Sequence, residues 1–232
     1  MDNQHEVELN FFYLHYNDAG HFVEQAKEEK SKLRSFYARH AILSFVFSIE
    51  AMINKIINDF YILPTGRDSF QKLSLKERVF AAPLVCGRDK PIGKTLDQSK
   101  EPFQSFSELV DIRNWFVHPR RGNFIDARRE FGDITTTSGE NVPWVETDFS
   151  KVWPHTRIPV NPFELEWKHA NQALKIIDGL ITEMKGLFNG LLTQKWFDEI
   201  TMRTKDGTNQ INITTHSLWG GYTPKRRDTF DD

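Results

Sequence analysis

The 232-residue chain has one cysteine, Cys86. A lone thiol excludes an internal disulfide and cannot build a thiolate zinc site by itself, so Cys86 is expected to be a small packed residue in a reducing setting. An excess of either charge is also missing. The 30 Lys and Arg residues against 32 Asp and Glu give a net charge of -2, so no global positive field announces a nucleic-acid binder and any basic surface must be local. The compact candidates are Arg120 and Arg121, with Arg128 and Arg129 shortly after, and the tail run Lys225-Arg226-Arg227. The opening "MDNQHEVELNFF" lacks a basic region followed by an apolar run, and no stretch reads as long enough to cross a bilayer, so a cytoplasmic protein with no membrane partner is expected.

Other signatures are absent as well. The 8 histidines form no His-x-x-x-His or Glu-x-x-His set with a convincing second cluster, so neither a metal nor another cofactor is expected. There is no Walker-type phosphate loop and no nucleophile elbow. Internal repeats and low-complexity tracts are lacking too, so organisation must be read from periodicity. What is present is ordinary for a globular chain, with 39% hydrophobic and 27% charged residues. The length suits one large domain with an insertion and a sizeable core.

The strongest periodic element runs from about Lys32 to Tyr61, where Leu43, Val46, Ile53, Ile57 and Phe60 recur at helical spacing. Glu50 occupies a place in that apolar series. Ahead of it, Ala19 to Ser31 reads as a charged helix capped by Asp18. "SLKE" at Ser74 to Glu77 has the capping-box pattern and predicts a short helix ending before Pro83. A loop, "CGRDKPIGKTLDQSKEP", follows. Residues 122–161 read as an irregular insertion with room for one β-hairpin. Asn161 and Pro162 supply a cap and a first-turn proline for a long helix with Ala170, Leu174, Ile177, Ile181, Met184, Phe188 and Leu191 on one seam. The extension 193–232 is polar, with an alternating "INITT" that reads as a docked strand or a flexible tail. The chain is therefore expected to be all-α or mainly α, with residues 1–192 as one domain.

"SFSELVDIRNWFVHPRRGN", Ser105 to Asn123, raises the functional question. "SFSE" is a second capping box, opening or lying within a helix that Pro119 ends. On a helical wheel Phe106, Leu109, Val110, Ile112, Phe116 and Val117 share one broad face, with Arg113 near its centre. A guanidinium keeps its charge at physiological pH, so a buried Arg113 needs carboxylates, a phosphate or a route to water. Glu50 is the first candidate partner and Asp111 the second. Ser107, Asp111, Asn114 and His118 follow one another at steps of 4, 3 and 4 as a polar stripe beside that face. His118 sits in the last turn, where the helix's negative end favours the protonated imidazole. Arg113 and His118 lie roughly 140° apart around an ideal helix, and they converge if a long Arg113 reaches round, if the last turn before Pro119 is distorted, or, the most productive idea, if a second copy of the helix faces the first across a two-fold axis.

"RNWFVH", Arg113 to His118, resembles the Arg-Asn-x-x-x-His motif of HEPN domains, and the helix His40 to Phe60 with its Glu50 is similar to the HEPN helix that packs against the motif helix. The resemblance covers Lys32 to about Arg121 and extends to the helix after Pro162; it leaves the insertion and the tail unexplained. It implies a HEPN-like helical bundle, usually a homodimer, with two motifs facing one cleft. Active members of the family are metal-independent endoribonucleases. Inactive members bind a nucleotide, an RNA or a protein partner, or serve in assembly. On the active reading, in a toxin or defence system with RNA as substrate and an antitoxin or other protein partner, His118 transfers protons and Arg113 neutralises the phosphate. Asn114 orients His118 or binds a phosphate oxygen, Glu50 or Asp111 holds Arg113, and Arg120 and Arg121 contact the RNA backbone. On the non-catalytic reading, Arg113 and Glu50 only stabilise the bundle, His118 caps the helix, and Arg113→Ala leaves Glu50 uncompensated.

Overall fold

A computed structural model describes residues 5–8, 11–61, 67–117, 151–193, 196–197, 199–204 and 210–214. The protein is mainly helical. In chain order, strand β1 (His5–Glu8) is followed by α1 (Phe11–Glu28), α2 (Leu33–Phe60), α3 (Arg67–Gln71), α4 (Leu75–Val85) and α5 (Phe103–Val117). A 3-10 turn (Pro162–Glu164), α6 (Trp167–Leu187), β2 (Glu199–Thr204) and β3 (Gln210–Thr214) complete it.

The 28-residue α2 contains neither glycine nor proline and is the central helix. Its Ile42, Phe45, Val46, Ile49, Met52, Ile53, Ile56 and Ile57 are fully buried, and α1, α4, α5 and α6 all pack against it. By length and composition alone α2 is also long and apolar enough to span a membrane, contrary to the expectation from the sequence, and more than half of that span is covered by the rest of the protein. Of the seam expected along α2, Val46, Ile53 and Ile57 are fully buried, while Leu43, Glu50 and Phe60 are partly buried, and the buried surface also takes in Ile42, Phe45, Ile49 and Ile56 because α2 is contacted from several sides.

α1 starts eight residues before the expected Ala19, and Asp18 lies inside it rather than capping it. The aromatic opening of α1 is held by packing: Phe12 is buried against Phe197 at 5.0 Å between ring centroids, and Tyr16 meets Phe45 at 5.8 Å. The pairings of His15 with Phe47, Tyr16 with Phe45 and Phe22 with Tyr37 run in opposite chain directions, so α1 and α2 form an antiparallel hairpin. Glu29 closes it by accepting the backbone N–H groups of Lys30 and Ser31, bonds that hold its carboxyl below the usual range.

α4 begins with the capping box expected at Ser74, both reciprocal bonds being present. It does not stop before Pro83 but runs on to Val85. Pro83 lies in the last turn, where it takes away one intrahelical donor. The loop after α4 turns back at Gly87, whose backbone N–H donates to the Phe60 carbonyl at 2.9 Å. A β-carbon at Gly87 would lie 2.0 Å from the Lys90 carbonyl oxygen, so only glycine fits.

The long α6 starts at Trp167, five residues beyond the expected Pro162. Asn161 does cap, accepting the Phe163 N–H at 3.0 Å, but the turn it opens is a short 3-10 turn that ends where Leu165 and Glu166 become extended. The α6 seam through Ala170, Leu174, Ile177, Ile181 and Met184 is buried, as is Phe188 just beyond the helix. Of the insertion expected at 122–161, residues 122–150 lie outside the described residues. Its final part contains an isolated antiparallel bridge between Val152 and Pro159. In the extension, β2 pairs antiparallel with both β1 and β3, and the alternating "INITT" lies in or next to β3. Register pairs such as His5 with Thr204 join strands that are far apart in the sequence.

Candidate functional site

Ile112 and Leu109 are fully buried and fix the rotation of α5. Arg113, next along the wheel, therefore emerges at the edge of the packed face with 20% of its side chain exposed rather than at the centre. Glu50 is 29% exposed and Arg78, from α4, only 9%. The three side chains meet where α2, α4 and α5 come together. One Glu50 oxygen accepts from Arg113 Nη2 at 2.8 Å and the other accepts from Arg78 Nη2 at 2.8 Å. Arg78 Nη1 donates to Asn54 Oδ1 at 2.5 Å, one turn along α2 from Glu50. Arg113 Nη1 donates to the exposed Asn114 Oδ1 at 2.9 Å.

Charge accounting separates this cluster from a simple ion pair. Two guanidiniums share one carboxylate, so among the described residues one positive charge is left over, held between helices where water screens it poorly. The Nε atoms of Arg78 and Arg113 are both buried without a hydrogen-bond partner among the described residues. Buried donors of this kind are uncommon in folded proteins. The Arg113 guanidinium also lies over the Phe47 ring, 5.1 Å from its centroid, in cation–π geometry.

Of the residues singled out in the sequence, Glu50, Arg113 and Asn114 come together. Asp111 does not join them; its carboxylate pairs with Lys76 of α4 at 2.7 Å. It sits two residues before Arg113, which puts the two side chains on different sides of α5. His118, Arg120 and Arg121 lie outside the described residues. Arg78 went unnoticed in the sequence although it carried the same signal as Arg113: it interrupts the buried line Leu75, Val79 and Ala82 of α4.

A second buried charge lies one turn earlier on α5. Glu108 is only 6% exposed and is no helix cap, because α5 already begins at Phe103 and Glu101 accepts the Ser105 N–H at 3.2 Å. The Glu108 carboxylate instead accepts the backbone N–H groups of His155, at 3.1 Å and 3.2 Å to its two oxygens, and of Thr156 at 2.6 Å. It thereby fastens the loop before the 3-10 turn onto α5. Among the described residues, no group of three or more His, Cys, Asp or Glu side chains is arranged to hold a metal ion.

No family model, curated protein or solved structure matches the chain.

Proposed function

We propose that the protein is a HEPN-type, metal-independent endoribonuclease, acting as a homodimer in a toxin or defence system and cleaving RNA by attack of a 2′-OH on the adjacent phosphate. The observation that carries this reading is the surplus positive charge of the Glu50–Arg78–Arg113 cluster at the margin of α5, with Asn114 exposed beside it. An anion is the natural counterpart of such a cluster, and the forked Arg113 donors suit a phosphate.

In the reaction the 2′-oxygen loses its proton and bonds to phosphorus, the bond to the 5′-oxygen breaks, and that oxygen takes up a proton, leaving a cyclic phosphate and a 5′-hydroxyl. Charge grows on the phosphoryl oxygens in the transition state, which a preorganised guanidinium stabilises. Glu50 restrains Arg113 without neutralising it, because Arg78 claims half of the carboxylate. Asn114 keeps its amide nitrogen for a phosphate oxygen or for His118 while its oxygen accepts from Arg113. His118, by the motif resemblance, carries the protons. The roughly 140° between Arg113 and His118 expected on an ideal helix favours a composite cleft from two copies, and Arg120 and Arg121 follow as backbone contacts. An antitoxin or another protein partner belongs to the same proposal.

A second reading has its own support. The cluster ties three helices together, which is what a non-catalytic HEPN-like module binding a nucleotide, an RNA or a protein would also need. Incubation of purified protein with mixed RNA in EDTA separates the two. Metal-free cleavage that is lost in both His118→Ala and Arg113→Ala, with the fold intact, is expected for the nuclease; full cleavage by His118→Ala overturns it.

A further inference from the structure

The start of α2 meets the 3-10 turn ahead of α6 at a surface separate from the Arg113 cluster, Arg39 lying about three helical turns before Glu50. Phe163 is 76% exposed there, although Leu165, two residues on, is buried. The exposure is built into the turn. Asn161 accepts the Phe163 N–H and donates its amide to Glu164 at 2.9 Å. Arg39 Nη1 donates to the Pro162 carbonyl at 3.0 Å, and the Arg39 guanidinium lies 5.5 Å from the Phe163 ring centroid. On α2, Lys32, Phe36 and Arg39 follow one another at steps of 4 and 3 and so share one side of the helix. Phe36 is exposed, as is Leu33 one turn before it. His40 stacks on the Phe36 ring at 4.0 Å while its Nδ1 bonds the Phe36 carbonyl oxygen. Two aromatic rings are thus held in water beside two cations.

We infer that this surface docks an acidic, apolar peptide segment of another protein, which sets an aromatic or leucine side chain against Phe163 and Phe36 and carboxylates against Arg39 and Lys32. It does not depend on the phosphate reading of Arg113. Aromatic anchors already held in place are the contacts that dominate protein interfaces, since little ordering remains to be done on binding. Charge complementarity selects the occupant. Among the described residues Arg39 has only the Pro162 carbonyl and the Phe163 ring as partners, and Lys32 takes part in no ion pair. Burial already disfavours the Arg39 charge, so a purely apolar cover would strand a cation, and the occupant must bring an acid. A second copy does not fit, because a two-fold pairing of this face with itself sets cation against cation at its centre. A polyanion or an anionic membrane meets repulsion from Glu164, adjacent to Phe163, and from Glu29, just before α2. Among the described residues the carboxylates of both accept hydrogen bonds only from uncharged N–H groups.

Selection from a random peptide library displayed on phage, with the full chain immobilised, tests this. The expected consensus has Asp or Glu flanking Phe, Trp or Leu. A labelled synthetic peptide of that consensus is then titrated by fluorescence anisotropy. Phe163→Ser is expected to weaken its binding by at least about tenfold and Lys32→Glu by about twofold to fivefold, and binding is expected to weaken as salt rises. Phe163 and Lys32 are both exposed, so these variants test contact rather than folding. The proposal is overturned by the absence of an enriched consensus, by a consensus without carboxylates, or by a peptide that Phe163→Ser or Lys32→Glu binds as tightly as wild type. Co-sedimentation of the wild-type protein with phosphatidylserine vesicles, or its self-association in analytical ultracentrifugation, also overturns it where Phe163→Ser abolishes the effect.

Discussion

The cluster of Glu50, Arg78 and Arg113 predicts an unusual pattern of stabilities. Removing Arg113 alone leaves Glu50 paired with Arg78 at 2.8 Å, so the large penalty expected for an uncompensated carboxylate does not arise. Removing Arg78 alone likewise leaves Arg113 at 2.8 Å. Each single replacement deletes one attraction but also relieves the repulsion between two guanidiniums. The cost of Arg113→Met should therefore be about 1 kcal/mol, near that of one hydrogen bond. Arg78→Met, with its Asn54 bond also lost, should cost about 2 kcal/mol. Glu50→Gln deletes both attractions and leaves the two cations facing one another. Breaking a fully buried pair costs roughly 3–5 kcal/mol, and with 20% and 29% of the Arg113 and Glu50 side chains in water a discounted value of about 2–3 kcal/mol is expected. The double replacement of Arg78 and Arg113 finally isolates Glu50, and should exceed the sum of its singles by about 1–2 kcal/mol. Urea unfolding at neutral pH of the four variants measures this cycle. Additivity within about 0.5 kcal/mol, or an Arg113→Met cost equal to that of Glu50→Gln, would refute the shared-carboxylate argument.

Three further outcomes follow from other buried groups. Glu108→Ala leaves the His155 and Thr156 N–H groups without their acceptor; a loss of about 2–3 kcal/mol in denaturant unfolding, with faster proteolytic nicking near Trp153 to Ile158, is expected, and unchanged nicking would dissociate that loop from α5. Burial pushes the Cys86 thiol up to about 12, so it should react with a thiol reagent at the rate of global unfolding and not faster. Burial lowers the His169 pKa, and its Nδ1 accepts the Glu166 N–H at 2.9 Å; its folded pKa lies below the unfolded one, so its contribution is complete above the ordinary imidazole range and is lost as pH falls through the depressed value. Amide protection factors in the first turn of α6, with the intrinsic pH dependence of exchange divided out, should therefore fall on acidification in wild type, and lose that part of their pH dependence in His169→Ala.

The long helices were legible because their signals are local. α2 has no breaker across 28 residues, and its ends fall within a residue of those read from periodicity. The caps were less dependable for the same reason. Asn161 caps as its type suggests, yet Leu165 and Glu166 are extended and α6 starts only afterwards; Asp18 looked like a cap because the aromatic stretch before it carries no clean polar face. "SFSE" matched a capping pattern while its Glu108 was committed to backbone donors 47 and 48 residues away. No local pattern can contain such a partner. The pairing of β1 with β2 was hidden in the same way, since one short strand had to find another near the opposite end of the chain.

The site shows what a charge in an apolar seam does and does not disclose. Glu50 and Arg113 each interrupt a helical seam, and a buried charge must find compensation, so their meeting across helices was inferable from two independent interruptions. The count of partners was not. Arg78 interrupts the face made by Leu75, Val79 and Ala82 and passed unnoticed because α4 is short and a single cation near a helix start looks like surface. With Arg78 included there is one carboxylate against two guanidiniums, and what matters is no longer what neutralises Arg113 but what neutralises the remainder. A pair balanced in charge argues for structure alone, whereas a triad with one charge left over and two unpartnered Nε atoms makes an anion the reasonable expectation. The step from structural pair to phosphate site therefore depends on Arg78, a residue whose own side chain is the most buried of the three.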